Sequence, residues 1–456
     1  MSKQLEVCAP ERCLEVVGGD AEELRALEFF YVQTAPALSS YFDADFWTRL
    51  VLQMSHAEPV IKHAVVAVGA LHRQRESVAK LAIKTVRDSA HHNDPFALTQ
   101  YNRAIGHLSK RMQDNSADVE VALLASILFV CVEFLRGDTA PAVSHFQGGM
   151  SIAMSTLPAC KHLTASERFQ GIRHSLLPFF HRLELLATVL GNAAPWEYPV
   201  ALTDTVPSEP QSLGEARDSL VHVMNLSLRL IEQVKTRRDA RTVTTDDLNM
   251  QAALLRQLEA WQAAFDAFLL TTTVGDKDKN AAKVLQIHQI VTVIWLSTST
   301  YTEESAQDAF IPEFENAVEL AEAIRDNTGT KKRRETHTSS FLFDMETVSP
   351  IYYVATNCRH PLIRRRATAV LRSSLRREGL WDSLMAAAIA DRVTAIEEAN
   401  LSVFDGSELP REEDRVHKTQ IVTVTGMAPD KPSVTFCTRP NGLDGEWKFW
   451  EEVISL

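Results

Sequence analysis

Apolar residues recur along this chain at three- and four-residue spacing, the period of helices that bury one face. AEELRALEFFYVQT sets Leu24, Leu27, Phe30 and Tyr31 on that spacing, and Pro36 is expected to end the helix. EPVIKHAVVAVGALHRQ and DPFALTQYNRAIGHLSKRM each open with a proline in the first turn, where a missing N–H does no harm, and Asp94 is the expected N-cap of the second. VALLASILFVCVEFL is apolar almost all round and predicts a helix at the centre of the core. AVSHFQGGMSIAMS follows after the turn RGDTAP, and further helices are expected over residues 165–190, 215–237, 247–270, 278–301 and 305–327. Two polar stretches interrupt them: GNAAPWEYPVALTDTVPSEPQSLG, a long connection between helical layers, and TGTKKRRETHTSS, charged and expected to be mobile. After Arg411 the period drops to two. VHKTQIVTVTG alternates and PSVTFCTRPNG reads as a second strand, giving a β-hairpin that closes on EWKFWEEVISL. LTQYNRAIGHL and VSHFQGGMSIA share an aromatic-then-small pattern, which shared helix periodicity explains as well as an αα-repeat does.

The expected fold is therefore all-α: a multi-helix, αα-hairpin or superhelical domain over residues 21–402. A flexible tail (1–20) precedes it and a β-hairpin appendage (403–456) follows. The 45% hydrophobic and 23% charged fractions fit a globular chain long enough for a large core. A net charge of −12 excludes whole-molecule attraction to phosphate backbones, so any nucleic-acid contact needs a local basic site. The six cysteines are scattered, with no CxxC pair, which fits free thiols in a reducing intracellular compartment. The start, MSKQLEVCAPERCLEVVGGD, lacks a signal-type apolar core. The longest apolar run, Val121 to Leu135, falls short of the roughly 20 residues of a membrane span, so none is expected.

Catalytic patterns are missing. There is no glycine-rich phosphate loop, no GxSxG elbow and no HExxH helix, so no enzymatic residue is expected. His56, His63 and His72 do not converge on the helical register and are expected to be structural rather than metal ligands. Neither Asp43 nor Asp45, in YFDADFW, is expected to do acid–base work, and Asp43, where a helix should start, is expected to cap it. No cofactor is expected.

The segment CRHPLIRRRATAVLRSSLRREGLWDS, from Cys358 to Ser383, carries seven arginines. A helix from Leu362 to Arg377 at about 100° per residue puts Ile363, Ala367, Val370, Leu371 and Leu375 in one apolar arc. Arg365, Arg372 and Arg376 form a stripe opposite, flanked by Arg366 and Arg377, and Gly379 is the expected stop. That stripe reads as a solvated face paired with acids, with a partner-binding surface as the alternative and no DNA contact expected. A second helix, LWDSLMAAAIADRVTAIEEA, faces the core with Trp381, Leu384, Met385, Ala388, Ile389 and Ile396. Arg364 falls inside the apolar arc. A buried guanidinium needs a carboxylate or several carbonyls, so Arg364 is expected to be a structural ion-pair residue.

Several phrases together resemble the large regulatory region of fungal binuclear zinc cluster transcription factors. They are EFFYVQTAPALSSYFDADFW, HAVVAVGALH, ALTQYNRAI, LLASILFVCVEFLRGD, YYVATNCRHPLIRRRA and RREGLWDS. The resemblance runs from about Leu27 to the C-terminus. It implies an all-α middle homology region in a nuclear regulator of metabolic or secondary-metabolite genes, with no catalytic residues. It also implies protein partners, as a homodimer or with a sibling regulator, and a small-molecule effector. Family members open with six closely spaced cysteines holding two zinc ions. Here Cys8 and Cys13 alone stand in that region, and the acidic EVVGGDAEEL follows in place of a basic linker. DNA binding by this chain is thus not expected; either the reading frame lacks its first exon or the protein has lost its reader. Zinc is expected only if such a cluster exists. The competing expectation is a helical interaction scaffold with no transcriptional role.

Overall fold

The computed structural model describes residues 20–82, 94–114, 118–159, 167–189, 209–272, 275–327, 340–422 and 433–455. The tail 1–20, the body of the long connection after residue 190 and the basic break before residue 340 fall almost wholly outside them. Two compact units emerge where the sequence reading has one helical domain. The first comprises Met1–Val86 and Ala90–Leu176; the second comprises Leu177–Leu456 and Arg87–Ser89.

In the first unit, Asp20 caps α1 (Ala21–Phe29) by accepting from the amides of Glu22 and Glu23 at 2.9 and 2.8 Å. Pro36 does not end this helix. The chain passes through a π-helical turn, Phe30–Thr34, into α2 (Ala35–Ser39), where Pro36 occupies the first turn and needs no N–H partner. The stop comes at Ser40, whose φ of 47° leaves the helical region. A second π turn, Phe46–Leu50, leads into α3 (Val51–Ala57). Asp43 is buried ahead of it, with its carbonyl accepting from the Trp47 amide at 3.1 Å, while Asp45 pairs with Arg49 on the exposed side.

The long α4 (Pro59–Ala82) packs against α1, α5 (Pro95–Gln113) and α6 (Val119–Arg136). Its Gly69 permits the closest approach, because a Cβ there would lie 2.3 Å from the carbonyl oxygen of Ala26. Every residue of α6 from Val121 to Leu135 is buried, and Gly137 ends that helix in the left-handed conformation at φ 77°. Next comes α7 (Thr139–Ala159).

The boundary between units falls within α8 (Glu167–Val189). The second unit continues with α9 (Leu213–Asp239), α10 (Thr245–Thr271), α11 (Asp276–Thr298) and α12 (Ile311–Asn327), each packed on its neighbours. Thr244 and Asp247 form a reciprocal capping box that starts α10. Trp261 stacks on Phe265 and donates to the Ala216 carbonyl at 2.9 Å, fixing α10 to α9. The stretch read as helix from residue 305 begins as a 3₁₀ helix, Glu304–Phe310.

Two helices carry the site: α13 (Val348–Asn357) and α14 (Pro361–Ser374). Helix α14 is shorter than expected. Leu375 takes the left-handed conformation (φ 46°, ψ 44°), and Arg376 begins a strand. A small sheet forms there: β1 (Ser340–Leu342) runs parallel to β2 (Arg376–Glu378), which pairs antiparallel with β3 (Trp381–Asp382). Gly379, at φ 56°, therefore turns one strand into the next instead of stopping a helix. The last helix, α15 (Ser383–Glu397), is capped by Asp382. The C-terminal strands β4 (Val416–Val422), β5 (Ser433–Thr438) and β6 (Lys448–Val453) make a three-stranded antiparallel sheet, one strand more than a hairpin. Val434 and Phe436 pack with Ile389 and Val393 of α15, so one sheet face belongs to the core.

Candidate functional site

On α14, Ile363, Arg364, Ala367, Thr368, Val370 and Leu371 are buried, whereas Leu362, Arg365, Ala369 and Arg372 are exposed. Arg364 lies in the apolar row with no solvent access. Its Nη2 donates to Glu397 Oε2 at 2.7 Å, and its Nη1 is 3.6 Å from Glu398 Oε1. Glu397 ends α15, and its other oxygen accepts from Arg359 Nη2 at 3.2 Å and from the Val416 amide at 2.9 Å. One buried carboxylate thus joins two buried guanidinia and the first residue of β4. Arg359 also donates to the carbonyls of Asn357 (2.7 Å) and Val416 (3.2 Å) and pairs with Glu304 at 3.2 Å. Burial by itself would raise the Glu397 pKa; Arg359, Arg364 and the Val416 amide outweigh it and hold the carboxyl below its ordinary value. Glu304 goes the other way, raised by burial against the opposing pull of Arg359.

The same network fastens the C-terminal sheet. Arg415 makes a two-pronged contact with Asp308 at 2.8 and 2.7 Å and donates to the Pro410 carbonyl. The Glu412 carboxylate accepts the amides of Glu304 and Ser305, capping their 3₁₀ helix. His417 lies between Glu304 (3.8 Å) and Glu412 (3.7 Å), yet burial pushes its pKa down to about 4 and keeps it neutral.

A second cluster corrects the reading of Arg376. The left-handed Leu375 moves Arg376 off the helix, so the 100° projection no longer applies to it. Instead of joining an exposed stripe it is 7% exposed and donates to Glu346 Oε2 at 2.6 Å. Leu375, expected in the apolar arc, is exposed for the same reason. Glu378 on β2 is buried and accepts the amides of Glu346, Thr347 and Val348 at 2.8, 3.0 and 2.9 Å, placing an anion at the start of α13. Arg365 and Arg372 do face solvent, but Arg365 pairs with Glu398 and Arg372 with Asp391. Arg366 is held by Glu322 and Glu315, and Arg377 by the Gly379 carbonyl.

The three histidines are dispersed. His63 meets Gln100 Oε1 at 2.6 Å, His72 meets Thr34 at 2.9 Å, and His56 is exposed. Among the described residues no group of three His, Cys, Asp or Glu side chains is arranged to hold a metal ion. No helix among them is long and apolar enough to cross a membrane. Periodicity could not find Arg359, which stands in the loop between α13 and α14, nor its partner Glu304, 55 positions away. The cluster's chemistry is charge pairing that locks helices and sheet together.

Comparison with known proteins places this architecture. The fungal specific transcription factor domain matches residues 25–392. The aspercryptin biosynthesis cluster-specific transcription regulator atnN of Emericella nidulans is 22% identical over 477 aligned residues, covering 85% of this chain and 75% of that protein. The transcription regulator lscL of Purpureocillium lilacinum is 24% identical over 149 residues, covering 32% of this chain and 35% of that one. No solved structure matches. The matching domain is that of transcription factors, not of enzymes, and such membership implies the nucleus. A match over most of the chain, on a mostly helical body with a small C-terminal sheet, settles the assignment: the protein belongs to the fungal specific transcription factor domain family.

Proposed function

We propose that this protein acts in the nucleus as the regulator of a secondary-metabolite gene set, through a protein partner or a small-molecule effector instead of its own contact with DNA. The observation that carries the reading is the match to a biosynthesis-cluster regulator across three quarters of that protein's length. Charge supports the second half. The exposed arginines of α14 each have a carboxylate partner, and the chain's net charge is −12. A phosphate backbone would have to displace those acids, which weakens binding and makes it strongly salt-dependent.

Two measurements test it. Deleting the gene and profiling transcripts should silence or derepress one contiguous biosynthetic cluster; unchanged cluster transcripts would sink the regulatory role. The purified chain should not shift promoter DNA at about 150 mM salt. Sequence-specific binding that survives added salt would overturn the indirect mode of action.

A further inference from the structure

Seven arginines among the described residues are buried: Arg182, Arg217, Arg359, Arg364, Arg376, Arg415 and Arg439. Six lie within ion-pair distance of a carboxylate. Arg439 is the exception. It is 7% exposed, its Nη1 donates to the Leu443 carbonyl at 3.0 Å, and its Nε has no hydrogen-bond partner. Its guanidinium carbon lies 3.7 Å from the centre of the Trp447 ring. A desolvated guanidinium without an anion is costly, and the aromatic stack offsets only part of that.

Its surroundings add a neutral imidazole and further cations. The His417 ring meets the same Trp447 edge-on at 5.2 Å, and its Nε2 is buried without a hydrogen bond, with Glu412 the facing carboxylate at 3.7 Å. Arg238 and Arg359 add to the positive field there, and Lys418 lies beside Cys437 on the same part of the sheet. Nearby acids are engaged elsewhere: Asp239 by Arg238, Asp444 by Arg241, Glu304 by Arg359, and Glu412 by two amides. Glu446 is exposed. Two residues beyond Trp447, Phe449 presents an apolar ring that is 63% exposed, 6.4 Å from the Trp447 ring.

We propose that Arg439, Trp447, Phe449 and His417 form a binding site for a small organic acid, its carboxylate on Arg439 and its apolar body against Phe449. The guanidinium is already held by the Leu443 carbonyl and the indole, so an arriving oxyanion gains a charge-assisted hydrogen bond at little ordering cost. Use of this site by an effector rests on the regulatory reading above; binding itself does not.

Isothermal titration of the full chain with benzoate, hexanoate, benzamide and inorganic phosphate tests it. Benzoate and hexanoate should bind within about 10 mM, and benzamide, which lacks the charge, should not. Arg439→Gln should weaken the acids at least ~10-fold, with its circular dichroism spectrum and melting temperature checked alongside. Arg439→Lys, which keeps the charge but loses the planar fork, should also weaken them and serves if the glutamine variant fails to fold. The site is refuted if neither acid binds, if both variants bind as the parent does, or if phosphate binds as well as benzoate. Acid binding that changes no reporter output would remove the effector role and leave the site; absent binding would leave the regulatory reading untouched.

Discussion

Replacing Glu397 isolates the energetics of the buried network. Its carboxylate serves Arg364 at 2.7 Å, Arg359 at 3.2 Å and the Val416 amide at 2.9 Å. Once it is gone, Arg359 retains Glu304 and the Asn357 carbonyl, but Arg364 keeps only Glu398 at 3.6 Å. That buried guanidinium then has no hydrogen-bonded carboxylate, which costs about 3–5 kcal/mol. The Val416 amide, left without an acceptor, adds about 1 kcal/mol or more. Glu397→Ala should therefore lose at least about 4 kcal/mol, and Glu397→Gln, whose amide oxygen still accepts one bond, nearer 3 kcal/mol. Arg364→Met should cost less, about 1–2 kcal/mol, because Glu397 keeps Arg359 and the Val416 amide. The double variant Arg364→Met with Glu397→Gln should recover part of the loss, since no buried charge is stranded at position 364. Urea denaturation followed by circular dichroism reads all four, with a midpoint shift of about 1 M expected for Glu397→Gln. A loss below about 1 kcal/mol for that variant, or a larger loss for Arg364→Met, would refute the reasoning.

Gly69→Ala should destabilise the chain by about 1–3 kcal/mol through collision with the Ala26 carbonyl. Gly106→Ala, on an exposed turn of α5 with nothing within 4 Å, should stabilise it by roughly 0.5–1 kcal/mol, and thermal melts separate the two. Arg372→Ala should change stability by less than about 1 kcal/mol in the same assay despite its ion pair, because both partners are exposed. Acid should unfold the protein early. His72, His288 and His417 have folded pKa values of about 4 against an ordinary 6.5, so the unfolded chain binds more protons between those values. Their contribution is complete above pH 6.5 and is lost as pH falls towards 4. His63, His145, His181 and His222, also lowered by burial, add to this, whereas Glu378, Glu304 and Glu133, raised by burial, oppose it, so stability should fall from pH 7 to pH 5. A urea midpoint that stays flat between pH 7 and 5 would contradict this.

Much of the helical body was legible because each long helix carries its own period and its own punctuation. Asp94 with Pro95 opens α5, and the unbroken apolar run of α6 reads as central. Placing Arg364 in the apolar arc needed no more than the rotation per residue. Failure began where geometry departs from that rotation. The left-handed Leu375 took Arg376 to a strand, and the partner strand β1 lies more than 30 positions earlier, a pairing that no local pattern announces. Pro36 misled for a related reason, since proline in a first turn starts a helix as readily as it stops one. Glu397 could not be named as a partner because its side chain looks like any solvated glutamate near a helix end. Only the packed structure brings it between two arginines and a strand.

The bond from Val416 to Glu397 has a genetic consequence. A nonsense allele ending between residues 403 and 415 would leave every α-helix encoded and remove the C-terminal sheet with some or all of the segment that leads into it. Yet Glu397 would lose the Val416 amide, Arg359 would lose the Val416 carbonyl, and the Asp308 carboxylate would lose Arg415. Such an allele should behave as a near-null through protein clearance, with normal message and little accumulated product. Immunoblotting of a tagged truncation against the full-length chain would show it.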